Sequence, residues 1–401
     1  MSKTICIAGK NNIAINIAKY IAYKYPDYKL IAITNQNDYG NNNFQLSFKH
    51  YCEINDIEVV SLYEVYEIEN LYFISLEFDK IIKPSRFKSK ELFNIHFSYL
   101  PAYKGMYTSA LPILNNEEYS GVTLHLIDTG IDTGDIIDQE KFKLNPSWTG
   151  QDLYLKYIEY GTRIVKKNLE NILTGKYDVK VQSHVKSSYY DKNSIDYANL
   201  TININKTANE VHNQIRAFSF PAYQLPLIKD SEIYNSIILT SKTVAKPGNI
   251  LFEDEFSITI STIDFDLKLL KDKRSELLEA SKKGDLKLIK KFHANLYPLN
   301  QRSKEGWDIL ILAAYNGHLD IIRWLLEDVG WDVNTTNNNL TSFAMYVMTH
   351  ASLNNDTSIL EYILKNTKGI QWNHKDARGH NINYYAKKLN NINVINLLPC
   401  P

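Results

Sequence analysis

Four segments in the last third of the chain begin alike. GDLKLI starts at Gly284, GHLDII at Gly317, NDTSIL at Asn355 and NNINVI at Asn390, so the starts lie 33, 38 and 35 residues apart. Self-similarity at such a period marks a stacked repeat, because one short helical unit cannot bury its apolar face alone. Residues 269–401 are therefore expected to form an all-α array whose terminal copies, acting as caps, depart from the pattern.

Upstream the texture is different. KTICIAG reads as a buried strand ending at Gly9, IAINIAKYIAYKY as a helix and LIAITN as a second strand. Strand and helix units continue through IEVVSL, LYFISLEF, LFNIHFS and VTLHLID to a long helix from about Trp148 to Leu173. That succession predicts an α/β domain with a mostly parallel sheet over residues 1–180, with ligands at the carboxyl ends of its strands. Gly9, Asn94 to Ser98 and the loop after Asp128 would lie there. Residues 181–268 break into short strands such as SIILTSK and FSITIST and predict a small β-rich second domain.

Composition narrows the function classes. Lys+Arg and Asp+Glu are 45 each, so net charge supplies no attraction for nucleic acid or an anionic membrane. Cys6, Cys52 and Cys400 are far apart, with no CxxC spacing, so neither a disulfide framework nor a zinc site is expected, and a reduced cytoplasm is the expected compartment. No stretch approaches the roughly 20 apolar residues that span a bilayer, and the N-terminal segment lacks the core of an export signal.

The chemistry concentrates in two motifs. In ELFNIHFSYLPAYKG, residues 91–105, alternation puts Asn94, His96 and Ser98 on one face and Phe93, Ile95 and Phe97 on the other. A neutral imidazole can take a proton near pH 7, and an amide can donate to a developing oxyanion without titrating, which together suit acyl transfer. In GVTLHLIDTGIDTGDII, residues 121–137, a strand bearing Thr123 and His125 runs into a loop that crowds Asp128, Asp132 and Asp135. A calcium loop of the EF-hand type is excluded by Gly130 and Gln139 at ligand positions, and no metal is expected. Two further features could bind ligand. Gly9, Lys10 and Asn11 open the first helix, where free amides favour an anion, though GKNN matches no dinucleotide or ATP loop. In NQIRAFSFPAYQ, Arg216 could pair with phosphate and Phe220 or Tyr223 could stack on a base.

Taken together the two motifs resemble the signatures of the formyltransferases that use 10-formyltetrahydrofolate. FNIHFSYLPAYKG is similar to N-x-H-P-S-x-L-P-x-Y-x-G, with Phe97 at the proline, and GVTLHLIDTGIDTGDII to G-V-T-x-H-x-x-D-x-x-x-D-x-G-x-I. The resemblance implies a Rossmann-like catalytic domain with Asn94, His96 and Asp132 as catalytic residues. It implies a folate site at Phe78, Ile81, Ile82, Ile127, Asp128 and Ile131, and substrate contacts at Gly9, Lys10, Asn11, Arg216, Phe220 and Tyr223. IRAFSFPAYQ points within the family to the nucleotide-sugar N-formyltransferases. The array resembles ankyrin repeats through Ala313, Ala314, Gly317, His318, Leu325 and Leu326.

The implied reaction carries a formyl group from 10-formyltetrahydrofolate to the amine of a dTDP-amino-dideoxyhexose, with the C3 amine favoured over C4, for a surface polysaccharide such as O-antigen. A methionyl-tRNA formyltransferase and a non-catalytic ankyrin interaction protein are the competing readings. The resemblance further implies a homodimer, and the repeats are expected to hold a protein partner or a second nucleotide-sugar, with Trp307, Tyr315, Trp324, Trp331, Tyr346, Tyr362 and Trp372 as aromatics and Arg302 or Arg323 for phosphate.

Overall fold

The computed structural model describes residues 3–228 and 231–399, so Cys400 lies outside the described residues. The chain forms two compact units, Met1–Asn41 with Gln45–Asp272, and Asn42–Phe44 with Lys273–Pro401.

The first unit opens with strands β1 (Thr4–Gly9), β2 (Lys29–Thr34), β3 (Glu58–Val59), β4 (Leu71–Leu76), β5 (Leu92–His96), β6 (Lys104–Gly105), β7 (Tyr119–Leu126) and β8 (Ile136–Lys143). All but β6 join one sheet in the order β3-β2-β1-β4-β5-β7-β8. Pairing is parallel from β3 through β5 and antiparallel across β5, β7 and β8. The central β1 is buried along its whole length, which is why it reads as an unbroken apolar run. IEVVSL pairs only over Glu58 and Val59, both exposed, as a short edge strand, while Ile57 and Val60 beside them pack on the core.

Helices α1 (Asn11–Lys24), α2 (Phe48–Ile54), α3 (Leu62–Tyr66), α4 (Leu111–Leu114) and α5 (Gly150–Thr174) complete the α/β part. Helices α1 and α5 bury Ile13, Ile17, Tyr157, Ile164 and Val165 with Phe93 and Ile95 of the sheet in one cluster. Each such aliphatic side chain contributes about 1.5–3 kcal/mol of burial. A reciprocal cap between Thr149 and Asp152 fixes where α5 starts, and left-handed Gly175 ends it.

Downstream, β9 (Tyr189–Tyr190) returns to pair with β6. Helix α6 (Ala208–Phe218) comes next, a helix inside a stretch whose composition suggests strands and loops. Its start is written in the sequence as Thr207-x-x-Glu210, a reciprocal cap, and Val211 and Ile215 form its buried stripe. They pack on a five-stranded antiparallel sheet of β10 (Leu227–Ile228), β11 (Ser231–Ile238), β12 (Ile250–Glu253), β13 (Ser257–Ser261) and β14 (Asp266–Lys271), ordered β10-β11-β14-β13-β12.

Among the described residues the second unit holds four helix pairs: α7 (Arg274–Lys283) with α8 (Leu286–Ala294), α9 (Ile309–Asn316) with α10 (Leu319–Trp324), α11 (Phe343–Asn354) with α12 (Ser358–Asn366), and α13 (Ile382–Leu389) with α14 (Ile392–Leu397). The first helix of each pair stops at the residue that begins the repeated segment. Gly284, Gly317, Asn355 and Asn390 all adopt left-handed backbone, with φ of 81°, 86°, 52° and 53°. Only glycine and asparagine tolerate this readily, which explains their recurrence. At Gly317 an added Cβ would also come within 2.4 Å of the His350 ring in the next pair. We expect Gly317→Ala to destabilise the array by about 1–2 kcal/mol. A urea midpoint unchanged from wild type would contradict this account of the turn.

Candidate active site

Strand β5 sends Phe93 and Ile95 into the core and, by alternation, directs Asn94 and His96 to the opposite face. Antiparallel β7 brings His125 opposite Asn94 and Thr123 opposite His96. The loop after β7 then places Asp132 against both β5 side chains.

The hydrogen bonds define which atoms can carry protons. His96 Nε2 lies 2.8 Å from the Tyr103 carbonyl oxygen, which can only accept, so Nε2 bears hydrogen. Its Nδ1 stands 3.4 Å from Asp132 Oδ2. His125 is held likewise, with Nδ1 donating to the Leu126 carbonyl at 2.7 Å. Its Nε2 therefore accepts from Asn94 Nδ2 at 3.1 Å, and the same Asn94 nitrogen donates to Asp132 Oδ1 at 3.3 Å. The Gly105 amide donates to Asp132 Oδ2 at 2.9 Å.

Burial lowers the His96 pKa below its ordinary 6.5, and the neighbouring Asp132 carboxylate opposes that shift. Burial alone would raise the Asp132 carboxyl, but the two imidazoles and the Gly105 amide outweigh it and bring it down to about 2. Near neutral pH the site thus holds an ionised carboxylate beside an imidazole free to accept a proton on Nδ1.

The Asp132 loop is tightly built. Asp132 itself has left-handed backbone, with φ of 54°. Thr133 Oγ1 and the Gly130 amide both donate to Asp128 Oδ1, at 2.6 and 3.1 Å. At Gly134 a Cβ would fall 1.8 Å from the Leu126 carbonyl oxygen, so only glycine lets the loop close on β7. Gln182 Nε2 ties it down by donating to the carbonyls of Asp132 and Gly134 at 2.9 and 2.7 Å.

The structure sorts the other sequence candidates. Ile81 and Ile131 follow β4 and β7, the strands flanking β5, and are 71% and 39% exposed, apolar surface outside the core. Ile82 is buried, Phe78 and Ile127 pack against the same small core, and Asp128 shapes its own loop. Gly9, Lys10 and Asn11 lie at the end of β1, where a Cβ on Gly9 would meet the Leu76 carbonyl oxygen at 1.9 Å. Tyr223 is 65% exposed and stacks on Phe220, with ring centroids 5.0 Å apart.

Arg216 stands apart from the phosphate-pairing group that its sequence context suggests. It is buried, with Nη1 donating to the Trp148 carbonyl at 2.7 Å and Nη2 to Asn213 Oδ1 at 2.6 Å, so it joins α6 to the start of α5. In the second unit Arg302 is likewise engaged, by Asp308 and Thr335, and Arg323 lies 5.1 Å over the Tyr362 ring. Trp324 and Tyr362 are core, whereas Trp307, Tyr315 and Tyr346 form an edge-packed trio and Trp331 and Trp372 are half-buried.

Four residues near the site have no role assigned by the sequence. His125 carries a signal, its alternation with Thr123 on one strand. Glu77 and Tyr154, which meet beside Asn11, and Gln182, which holds the Asp132 loop, carry none, since each is defined by partners far away in the chain.

Family models for the formyl transferase domain match residues 52–169, for the formyl transferase C-terminal domain residues 194–279, and for three ankyrin repeat copies residues 277–376. The chain belongs to the formyltransferase family, extended by ankyrin repeats. Among solved structures it is similar to the N-formyltransferase from Helicobacter canadensis in complex with folinic acid and dTDP-3-aminofucose, at 46% identity and a TM-score of 0.63, covering 68% of this chain and 100% of that one. It is similar also to WlaRD, a sugar 3N-formyl transferase solved in the presence of dTDP and 5-N-formyl-THF, at 47% identity and a TM-score of 0.63, covering 68% and 99%. A methionyl-tRNA formyltransferase of Clostridioides difficile is 31% identical over 176 residues, 43% of this chain. The chain spans about half the length of that curated relative, 55%.

Proposed function

We propose that the protein transfers a formyl group from 10-formyltetrahydrofolate to the amine of a dTDP-linked amino-dideoxyhexose. The observation that carries this is the joining of Asn94, His96 and Asp132 at the carboxyl end of an interior strand in a chain similar over the whole length of two sugar N-formyltransferases. The exposed Ile81 and Ile131 fit the flat, apolar body of a folate on either side of β5.

In this reading the neutral amine attacks the formyl carbon. Asn94 shifts an amide hydrogen from Asp132, the longer of its two bonds, to the oxygen gaining charge. The amine proton passes to His96 Nδ1, where Asp132 holds the resulting imidazolium. As the new C–N bond forms, the bond from carbon to the folate nitrogen breaks and that nitrogen takes the proton from His96 Nδ1, which returns the imidazole to its neutral form.

The C3 amine is favoured over C4 because one similar enzyme is in complex with dTDP-3-aminofucose and the other is a sugar 3N-formyl transferase. A surface polysaccharide is the natural destination for such a sugar. The methionyl-tRNA reading is weaker, because equal numbers of basic and acidic residues, 45 each, provide no net field for an RNA backbone. The repeats are read as a platform for a protein partner or a second nucleotide-sugar, and calorimetry of the full chain with dTDP-sugar counts the sites.

The test is incubation of the purified protein with 10-formyltetrahydrofolate and a panel of dTDP-3-amino and dTDP-4-amino sugars, read by mass spectrometry. Formyl transfer to initiator methionyl-tRNA with none to any sugar would overturn the reading. A pH profile adds a second check. Because burial sets His96 below its ordinary 6.5, we expect the acid limb of kcat to fall below pH 6.5. Replacing Asp132 removes the charge that opposes this shift, so the limb of Asp132→Asn moves to still lower pH; a limb moving upward would refute the pairing.

A further inference from the structure

Glu77 is the residue immediately after β4, and its neighbours single it out. Leu76 pairs with Gly9 on one side and Ile95 on the other, so Glu77 follows in line with Lys10, the residue after β1, and with His96 on β5. Adjacent strands lie about 4.8 Å apart, a distance that one pyranose ring spans. Its backbone is left-handed, with φ of 58°, unusual for a glutamate, and the buried Asn35 fixes it by donating Nδ2 to the Glu77 carbonyl at 2.8 Å. Strained backbone held in place by neighbours clusters at functional sites.

The side chain is cradled on one oxygen. Tyr154 OH donates to Oε2 at 3.0 Å, and Asn11 Nδ2 reaches the same oxygen at 3.5 Å while donating to the Tyr154 hydroxyl at 2.7 Å. Neither takes Oε1. A glutamine would satisfy both donors through its carbonyl, so the cradle by itself gives no reason for a carboxyl. The Tyr154 ring continues into an aromatic wall, 5.6 Å from Phe220, which stacks on Tyr223. The residue thus follows in register beside His96, and its carboxyl adjoins the Tyr154 end of a wall that runs through Phe220 to Tyr223.

We propose that Glu77 determines acceptor specificity by accepting, through Oε1, a hydrogen bond from a hydroxyl on a ring carbon adjacent to the one that bears the reacting amine. This rests on the reading of the site as an amino-sugar formyltransferase. Burial lifts the Glu77 carboxyl to about 7, against the pull of Lys10, Tyr154 and Asn11, so a donor arriving from the sugar also relieves its desolvation.

The experiment uses the full chain, a dTDP-amino-sugar that wild type formylates, and analogues deoxygenated at each ring carbon flanking the amine. Absence of any wild-type formylation refutes the functional reading itself, a failure distinct from a wrong role for Glu77. For wild type assayed at about pH 8, above the carboxyl's value of about 7, we expect one analogue to lose roughly 10- to 100-fold in kcat/KM, as for a hydrogen bond to a charged group. In Glu77→Gln, which keeps the cradle, the same comparison should shrink to within about threefold. If the variant turns over too slowly, the Kd ratio for the same pair, from calorimetry, replaces the kinetic ratio. Thermal melts confirm that the variant is folded. The proposal is overturned if neither analogue is discriminated by wild type, or if Glu77→Gln keeps the wild-type ratio. A structural role alone would lower activity on all sugars equally and leave the ratio unchanged.

Discussion

We expect Asp132→Asn and His96→Asn each to lower turnover on the order of 100-fold or more while the fold survives. The two side chains act as a pair. His96 Nε2 is committed to the Tyr103 carbonyl, so the proton must arrive on Nδ1, 3.4 Å from Asp132 Oδ2. An asparagine at 132 can still accept from the Gly105 amide through its carbonyl, which preserves the loop, but it cannot balance an imidazolium. The carboxyl also contributes stability with a definite sign. Its folded pKa, about 2, is below the ordinary 3.8, so the contribution is present above the ordinary value and is lost as pH falls through about 2. Asp132→Asn should therefore be less stable than wild type at neutral pH and equal to it in strong acid. Single-turnover kinetics decide the catalytic point: near-native rates with the chemical step limiting would remove either residue from its role.

The parts of this fold legible from sequence are those where one local rule decides. Strand β1 reads correctly because a fully buried parallel strand is an unbroken apolar run, and the repeat array because its left-handed turn admits only Gly284, Gly317, Asn355 and Asn390 without strain. Strand β3 is overread, since only Glu58 and Val59 of the β-branched run pair with β2, while Ile57 and Val60 pack on the core from outside the ladder. Helix α6 is missed although the Thr207 and Glu210 cap is explicit, because the aromatic and proline-rich residues after it dominate the local pattern.

For the site the division is similar. Asn94, His96 and Asp132 lie in motifs whose spacing announces that they meet. Arg216 is less legible: residue type beside aromatics suggests a ligand contact, while the acceptors that hold its guanidinium include the Trp148 carbonyl, 68 positions earlier in the chain. Glu77 is invisible for the same reason, since its partners Asn11 and Tyr154 come from 66 residues before it and 77 after. Long-range hydrogen bonds have no local signature, and buried polar groups are defined by them.

The same contrast between an exposed aromatic and a buried arginine separates two variants in the second large prediction, that the nucleotide supplies most of the acceptor's ground-state affinity. Tyr223, exposed and stacked on Phe220, offers a face for a base remote from the reacting carbon, and Lys10 is a cation near the end of β1. Binding energy gained there is uniform between ground and transition states, so its loss should appear in KM rather than in kcat. We expect the free amino-sugar to be a poorer substrate than its dTDP conjugate by roughly 1,000-fold or more in kcat/KM, the worth of about 4 kcal/mol. Tyr223→Ala should raise KM by roughly 5- to 150-fold, the cost of about 1–3 kcal/mol of base stacking, with kcat little changed. Arg216→Ala should behave differently. It leaves the Asn213 and Trp148 acceptors without their buried donor, so it should lower the unfolding midpoint while folded enzyme keeps its KM for the nucleotide-sugar. Equal efficiency for free and conjugated sugar would eliminate the nucleotide as an anchor, and a raised KM with unaltered stability in Arg216→Ala would return that arginine to the phosphate.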